Sequence, residues 1–390
     1  MHVELTAAQQ ALKKELAGYF ARLMTPEARA RLAEPEETDA IYRELIAQAG
    51  RDGYLALGWP KEYGGAGMGP IEQLVYFETV VQSGAPFPFV TVNTVGPALM
   101  AHGSSEHKAK FLPGIARGDI HFAIGYSEPD AGTDLAALKC SAVRDGDDFI
   151  VNGSKIWTSH AQYADYIWLA VRTDPAAPKH KGITILIVDA KAPGVSVAPI
   201  YTVGHRTNAT YYDNVRVPAS MVVGEVNGGW KLITSQLNHE RIGLGAHSMK
   251  MVGIYREVYD WAQTQDGSGM RPVDTPWVAT RLAEAWCELE AMKVLNYRLA
   301  ADLAEDRLSP ALASAAKVYG TEAEQTVARK LAEVVGSAGL IRAGSKAAVL
   351  NGLIEETVRH VTITSFGGGT NEIQREIIAQ FGLGLPRVIR

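Results

Sequence analysis

Over the first third of the chain, apolar positions recur at helical intervals. Leu12, Leu16 and Phe20 are four apart and follow Thr6, whose hydroxyl suits a helix N-cap. Residues 69–84 (GPIEQLVYFETVVQSG) repeat the pattern with Pro70 at the first helical position, and residues 104–119 open on a pair of serines. From about 120 the period changes. Short β-rich runs succeed one another: HFAIGY, DDFIVNG, SKIWTS, ADYIWLAV, GITILIVDA and TYYDNVRV. Asp145-Gly146 and Asn152-Gly153 between them have the composition of hairpin turns, so the pattern predicts antiparallel β-structure. Helical spacing returns near 225. Residues 230–263 predict one long helix, Thr275-Pro276 and Ser309-Pro310 each open another, and 264–274 is an exposed loop. The expected fold class is α+β: an N-terminal helical domain (1–119), a middle antiparallel β-domain (120–224) and a C-terminal four-helix bundle (225–390).

One charge breaks an apolar stripe. Ile233, Leu237, Glu240 and Leu244 are spaced four, three and four apart, which puts Glu240 on the leucine face of the predicted helix. A buried carboxylate is costly, and burial raises its pKa. Gly243 and Gly245 come next, each weakening a helix by roughly 1 kcal/mol relative to alanine. Two readings fit: a general base facing an apolar pocket, or a carboxylate satisfied by Arg241 or another helix.

Composition narrows the function classes. A chain of 390 residues with 47% apolar and 21% charged residues is ordinary globular chemistry. The formal net charge of −5 and the lack of a long basic run argue against nucleic acid. No apolar run approaches the ~18 residues that cross a bilayer, and the N-terminus lacks a secretory pattern. Cys140 and Cys287 are the only cysteines, which points to a reducing, cytoplasmic setting. No metal-ligand spacing stands out.

The chemistry is carried by three motifs. FAIGYSEPDAGTDLA (122–136), VNGSKIWTS (151–159) and GGGTNEIQR (367–375) resemble the flavin-dependent acyl-CoA dehydrogenases, and the order of helical, β and helical segments extends the likeness over nearly the whole chain. Within that family the sequence is similar to actinobacterial enzymes that shorten steroid side chains as CoA thioesters. The resemblance implies FAD as cofactor and an acyl-CoA oxidised to its trans-2-enoyl form, the Cα proton going to a carboxylate and the Cβ hydride to flavin N5. It places Ile124, Tyr126, Ser127 and Thr133 against the flavin, Thr133 also toward the thioester, and lays Trp157 along the isoalloxazine. Thr158 and Ser159 are expected to donate to the ring's polar edge, and Thr370 opens a helix whose free N–H groups suit a polarised ligand group.

Many relatives carry the catalytic glutamate where Gly368 stands here. A minority place it on the long helix immediately before an arginine, which Glu240 and Arg241 match, with Arg241 beside the substrate. Glu372, in a first helical turn, is the rival carboxylate. Gly368 still offers its main-chain N–H to the thioester oxygen, and the missing side chain leaves room for a bulky acyl group. Two elements that complete a neighbour's flavin site in homotetrameric relatives are missing or altered, in WAQTQDGSGMRPVDTPW (261–277) and in VVGSAGLIRAGS (334–345). This implies a second, different acyl-CoA dehydrogenase-like subunit in a heterotetramer, or a homotetramer in which Arg271 or another loop residue substitutes. An electron-transfer flavoprotein or similar acceptor takes the electrons. A flavin monooxygenase on the same fold and a non-catalytic subunit are the competing functions.

Overall fold

The computed structural model describes residues 4–34, 37–239, 248–265 and 269–386. Glu240, Arg241, Gly243 and Gly245 lie outside the described residues. The chain forms two compact units interleaved in sequence: Met1–Arg29, Gly69–Pro86 and Arg241–Arg390 make one, Ala30–Met68 and Phe87–Glu240 the other. The architecture is helical, then β, then helical, as the patterning predicts.

Helix starts reflect local side-chain chemistry. Thr6 and Gln9 form a reciprocal capping box at the head of helix Ala7–Leu23, and Ser104 and His107 form another ahead of Ser105–Ala116. Ser309 accepts from the Ala311 N–H at the start of Pro310–Val335. Thr275 occupies the N-cap position of Pro276–Ala304, but its side chain makes no cap hydrogen bond; Pro276 at the first position already removes one unpaired donor.

In the second unit an eight-stranded sheet comprises β1 (Phe122–Gly125), β2 (Ser141–Asp145), β3 (Asp148–Lys155), β4 (Tyr166–Arg172), β5 (Ile183–Asp189), β6 (Val195–Tyr201), β7 (Arg206–Pro218) and β8 (Val222–Val223). The order is β6-β7-β3-β2-β4-β5-β8, with β1 paired to β4. The sheet is antiparallel as expected, except that β1 and β2 each run parallel to β4. Strand β4 is buried on both faces, which explains its unbroken apolar run. Ile167, Leu169 and Val171 pack with Val151 and Val215, while Trp168 and Ala170 pack with Phe111 and Leu112.

Two turn expectations separate here. Asp145-Gly146 closes the β2–β3 hairpin, with Gly146 at φ +61°. Asn152-Gly153 is not a turn. It lies inside β3, at a bulge where the register against β7 shifts between Val151 and Gly153. Gly153 has φ +142°, and a Cβ there would come within 2.8 Å of the Cys140 Cα, so glycine serves close backbone approach. DDFIVNG and SKIWTS are therefore one strand as far as Lys155. Strand β6 has weak alternation and is not among the expected runs.

In the first unit, helices Lys250–Ala262, Pro276–Ala304 and Pro310–Val335 bury Met251, Leu289, Val327 and Leu331 together. The single helix expected over 230–263 is instead described as Gly229–His239 and Lys250–Ala262, with Ser248 and Met249 in a turn that opens the second. Among the described residues no helix is long and apolar enough to cross a membrane.

Candidate active site

The first two motifs meet in the β-unit. The chain leaves β1 at Gly125 and folds a tight loop in which Glu128 and Ala131 exchange both backbone hydrogen bonds, leaving Pro129 and Asp130 exposed at the tip. The loop is anchored from beneath by a buried ion pair. Lys155, fully buried, donates to Glu128 Oε1 at 2.7 Å and to the Tyr126 carbonyl at 3.1 Å. The same carboxylate accepts from the Cys140 and Lys139 N–H groups at 2.8 and 2.7 Å. Burial alone would raise the Glu128 carboxyl; Lys155 and the two N–H donors outweigh it and hold the group below its ordinary range. A charge in such a site is tolerable because both carboxylate oxygens find donors.

Beyond Lys155 the chain runs against this loop. The Ile156 N–H donates to the Ser127 carbonyl at 2.9 Å, which sets the two motifs side by side. Trp157 then adopts φ +62°, a left-handed backbone that is an outlier for a bulky residue and costs on the order of 1–3 kcal/mol. Its indole stands 53% exposed. The next residue holds the strain in place: the Thr158 N–H donates to the Asn208 carbonyl, and the Asn208 amide donates back to the Thr158 carbonyl at 3.1 Å. Thr158 is fully buried, with its hydroxyl 3.3 Å from that of Thr210. Ser159 follows it. It is half-buried, with its hydroxyl 3.0 Å from that of Thr207.

Ile124 sits half-buried on β1, and Thr133 is exposed in the turn leaving the loop. The Tyr126 hydroxyl accepts from the Trp168 indole N–H and donates to Gln236 Oε1. That polarity turns the Gln236 amide nitrogen away from Tyr126, and among the described residues this buried nitrogen has no partner.

The third motif belongs to the helical unit. A 3₁₀ turn over Val361–Ser365 delivers the chain into Gly367, Gly368 and Gly369. Gly368 and Gly369 have φ +66° and +96°, conformations that disfavour side chains, and a Cβ on Gly369 would lie 2.8 Å from Gln374. Thr370 caps helix Asn371–Ile377 by accepting from the Ile373 N–H at 3.3 Å. Glu372 lies in the first turn of that helix, and hydrogen bonding from its own N–H and the Thr370 hydroxyl holds its carboxyl below the ordinary range. This is a helix-terminal acid rather than a base poised near neutrality.

The motif reading missed the groups that hold these loops: Glu128, Lys155, Asn208 and Gln236 in one unit, Lys317 and Asn371 in the other. Lys155 had a usable signal, since a lysine closing an apolar strand is anomalous; Lys317 had none.

The helical, β and helical segments match, segment by segment, the three domains of a known enzyme family. The chain belongs to the acyl-CoA dehydrogenase family: the family's N-terminal domain matches residues 6–119, its middle domain 123–215 and its C-terminal domain 227–383. It is 51% identical over 401 residues to acyl-CoA dehydrogenase FadE26 of Mycobacterium tuberculosis (strain ATCC 25618 / H37Rv), with 100% of both chains covered. Among solved structures it is similar to the Tcur3481–Tcur3483 steroid ACAD (TM-score 0.93, 51% identity) and to the ChsE4–ChsE5 complex from Mycobacterium tuberculosis (TM-score 0.92, 52% identity), each over 100% of both chains. The family consists of flavin-dependent oxidoreductases, and this chain is an enzyme of that kind.

Proposed function

We propose that the chain catalyses FAD-dependent α,β-dehydrogenation of a bulky, steroid-derived acyl-CoA to the trans-2-enoyl-CoA, with Glu240 as the base for the Cα proton. The residues present fit the cofactor. An exposed Trp157 held in a strained backbone, with Ser127 and Ser159 tied to its neighbourhood through backbone hydrogen bonds, suits a flat aromatic ring with a polar edge, and Thr133 is proposed as a further contact. Ile124, Tyr126 and Thr158 are further cofactor contacts in this reading, and so is Thr370, the N-cap of its helix. FAD, when bound, supplies the acceptor for the Cβ hydride.

The chain's own residues do the rest. Glu240 removes the Cα proton, with Arg241 beside it at the substrate. The Gly368 N–H donates to the thioester oxygen and stabilises the charge that develops there. The observation that carries the reading is the glycine turn itself: Gly368 carries no side chain where many relatives have a glutamate, which supports a base contributed elsewhere and room for a bulky acyl group. The steroid substrate class is supported by the name of one structural relative. A second, dehydrogenase-like subunit completes the assembly, as two structural relatives are complexes of two different chains. The homotetramer alternative is weaker because the Arg271 guanidinium is already engaged by Asp274 at 2.6 and 2.9 Å. Electrons then leave to an electron-transfer flavoprotein or similar acceptor.

Glu240→Gln tests the reading, since it keeps size and removes proton-accepting ability. The variant should retain FAD, while anaerobic flavin reduction by steroid acyl-CoA slows by about a thousandfold. Near-normal bleaching of the flavin would rule Glu240 out as the base.

A further inference from the structure

Local bonds hold only the two ends of the glycine turn: the Gly367 N–H donates to the Ile363 carbonyl at 2.9 Å, and Thr370 caps the helix that follows. Glycine is the most freely moving residue, and three in succession form a segment whose main chain is poorly fixed by local forces. A turn whose N–H must meet a developing charge has to be fixed before the reaction. Beyond those local bonds, one side chain on another helix bridges the two ends.

Lys317, half-buried on Pro310–Val335, aims its ammonium at the turn from the side. It donates to the Ser365 carbonyl at 3.1 Å, the Gly369 carbonyl at 2.8 Å and Asn371 Oδ1 at 2.7 Å. Those acceptors stand before the glycines, at the last of them, and at the first residue of the next helix. An ammonium has three donors, and all three are used. Asn371 is buried and its amide nitrogen is tied to Thr321 Oγ1 at 3.0 Å and Glu322 Oε1 at 3.3 Å, so the clamp rests on the same helix twice.

We infer that Lys317 is a positioning residue that sets the geometry of the Gly367–Gly369 turn and thereby aims the Gly368 N–H. The consequence for catalysis rests on the function proposed above; the clamp does not. Charge supports it as well. Burial pulls Lys317 down to about 8, against the opposing pull of Glu372, Glu322 and Glu324, so the ammonium form holds at neutral pH. Glu322 and Glu324 face it from its own helix, and Glu372 from the helix after the turn. Arg375 is held by Glu322, and Lys250, on helix Lys250–Ala262, acts on Glu324; the 361–365 segment carries no ionisable side chain.

The test uses the flavin-loaded assembly carrying Lys317→Met or Lys317→Arg. In Lys317→Met, amide exchange in peptides spanning residues 364–372 should speed up by about tenfold or more, with a β-sheet peptide over 148–155 unchanged. The kcat for acyl-CoA oxidation should fall by at least about tenfold, with KM and flavin content within about threefold of wild type. Lys317→Arg keeps the cation but cannot place three donors from one atom; it should show intermediate exchange and shift the alkaline limb of the rate profile upward. If Lys317→Met does not fold, Lys317→Arg carries the same measurements. Unchanged exchange over 364–372 would overturn the clamp, as would a loss confined to flavin content with normal kcat in the loaded fraction. Faster exchange in a protein whose wild type oxidises no acyl-CoA would confirm the clamp and overturn the catalytic reading instead.

Discussion

The molecule secures its two candidate ligand-facing loops by different means. In the β-unit, the 127–133 loop is anchored by a carboxylate and an ammonium that are both buried and both well engaged. In the helical unit, the glycine turn is held by one half-buried lysine, while two buried carboxyls of the same unit, Glu78 and Glu324, each keep one oxygen without a partner among the described residues. The donors to Glu128 are the N–H groups of Lys139 and Cys140, which lie just before β2 and outside its ladder, so this buried charge is saturated by backbone that no strand pairing has used. Helices consume their own N–H groups internally and leave side chains to do this work. The β-unit therefore supplies a rigid platform, and the helical unit a site that remains sensitive to protonation.

Breaking the better-satisfied anchor should have the largest effect. Lys155→Met leaves the Glu128 carboxylate buried without its counter-ion, and should destabilise the protein by about 3–5 kcal/mol. Denaturant unfolding measures it, and Lys155→Met/Glu128→Gln should recover part of the loss. A change below about 1 kcal/mol in the single variant would mean that the N–H donors alone hold the carboxylate.

The incompletely satisfied acids should show in the pH dependence of stability. Glu78 is raised from 4.5 to about 7, chiefly by burial, against the opposing influence of Lys13, the Tyr297 hydroxyl and Lys293. Between these values the folded protein keeps a proton that the unfolded chain releases. The stability from this group is present below about 4.5 and is lost as pH rises toward 7, an amount on the order of 3 kcal/mol. Glu78→Gln should remove that slope, so that unfolding curves at about pH 5 and about pH 8 differ less than in wild type. Parallel pH dependence in the two proteins would show that the carboxyl titrates normally.

The smallest effect sharpens the view of the glycine turn. Thr370→Ala removes a cap from a short helix and should cost about 1 kcal/mol. Because Lys317 holds the turn independently, amide exchange over 364–369 should change much less than in Lys317→Met. Equal exchange in the two variants would place the control of the turn in the cap.

Features legible in the chain alone lie within a few residues of each signal. Thr6 with Gln9, Ser104 with His107, Ser309 with Ala311 and Thr370 with Ile373 all pair across three residues or fewer, so the helix starts were readable. The turn at Asp145-Gly146 was equally local, and the three motifs marked the family. Asn152-Gly153 has the same kind of composition as that turn, yet became a bulge because β7 and Cys140 lie beside it, which no local rule records. The supports of the site are more distant still. Lys155 reaches Glu128 across 27 positions, and Lys317 reaches its three acceptors across 48, 52 and 54. Such contacts exist only once strands and helices have chosen neighbours. The residue types that bear the chemistry were thus written in the chain, while the atoms that hold them were chosen by packing.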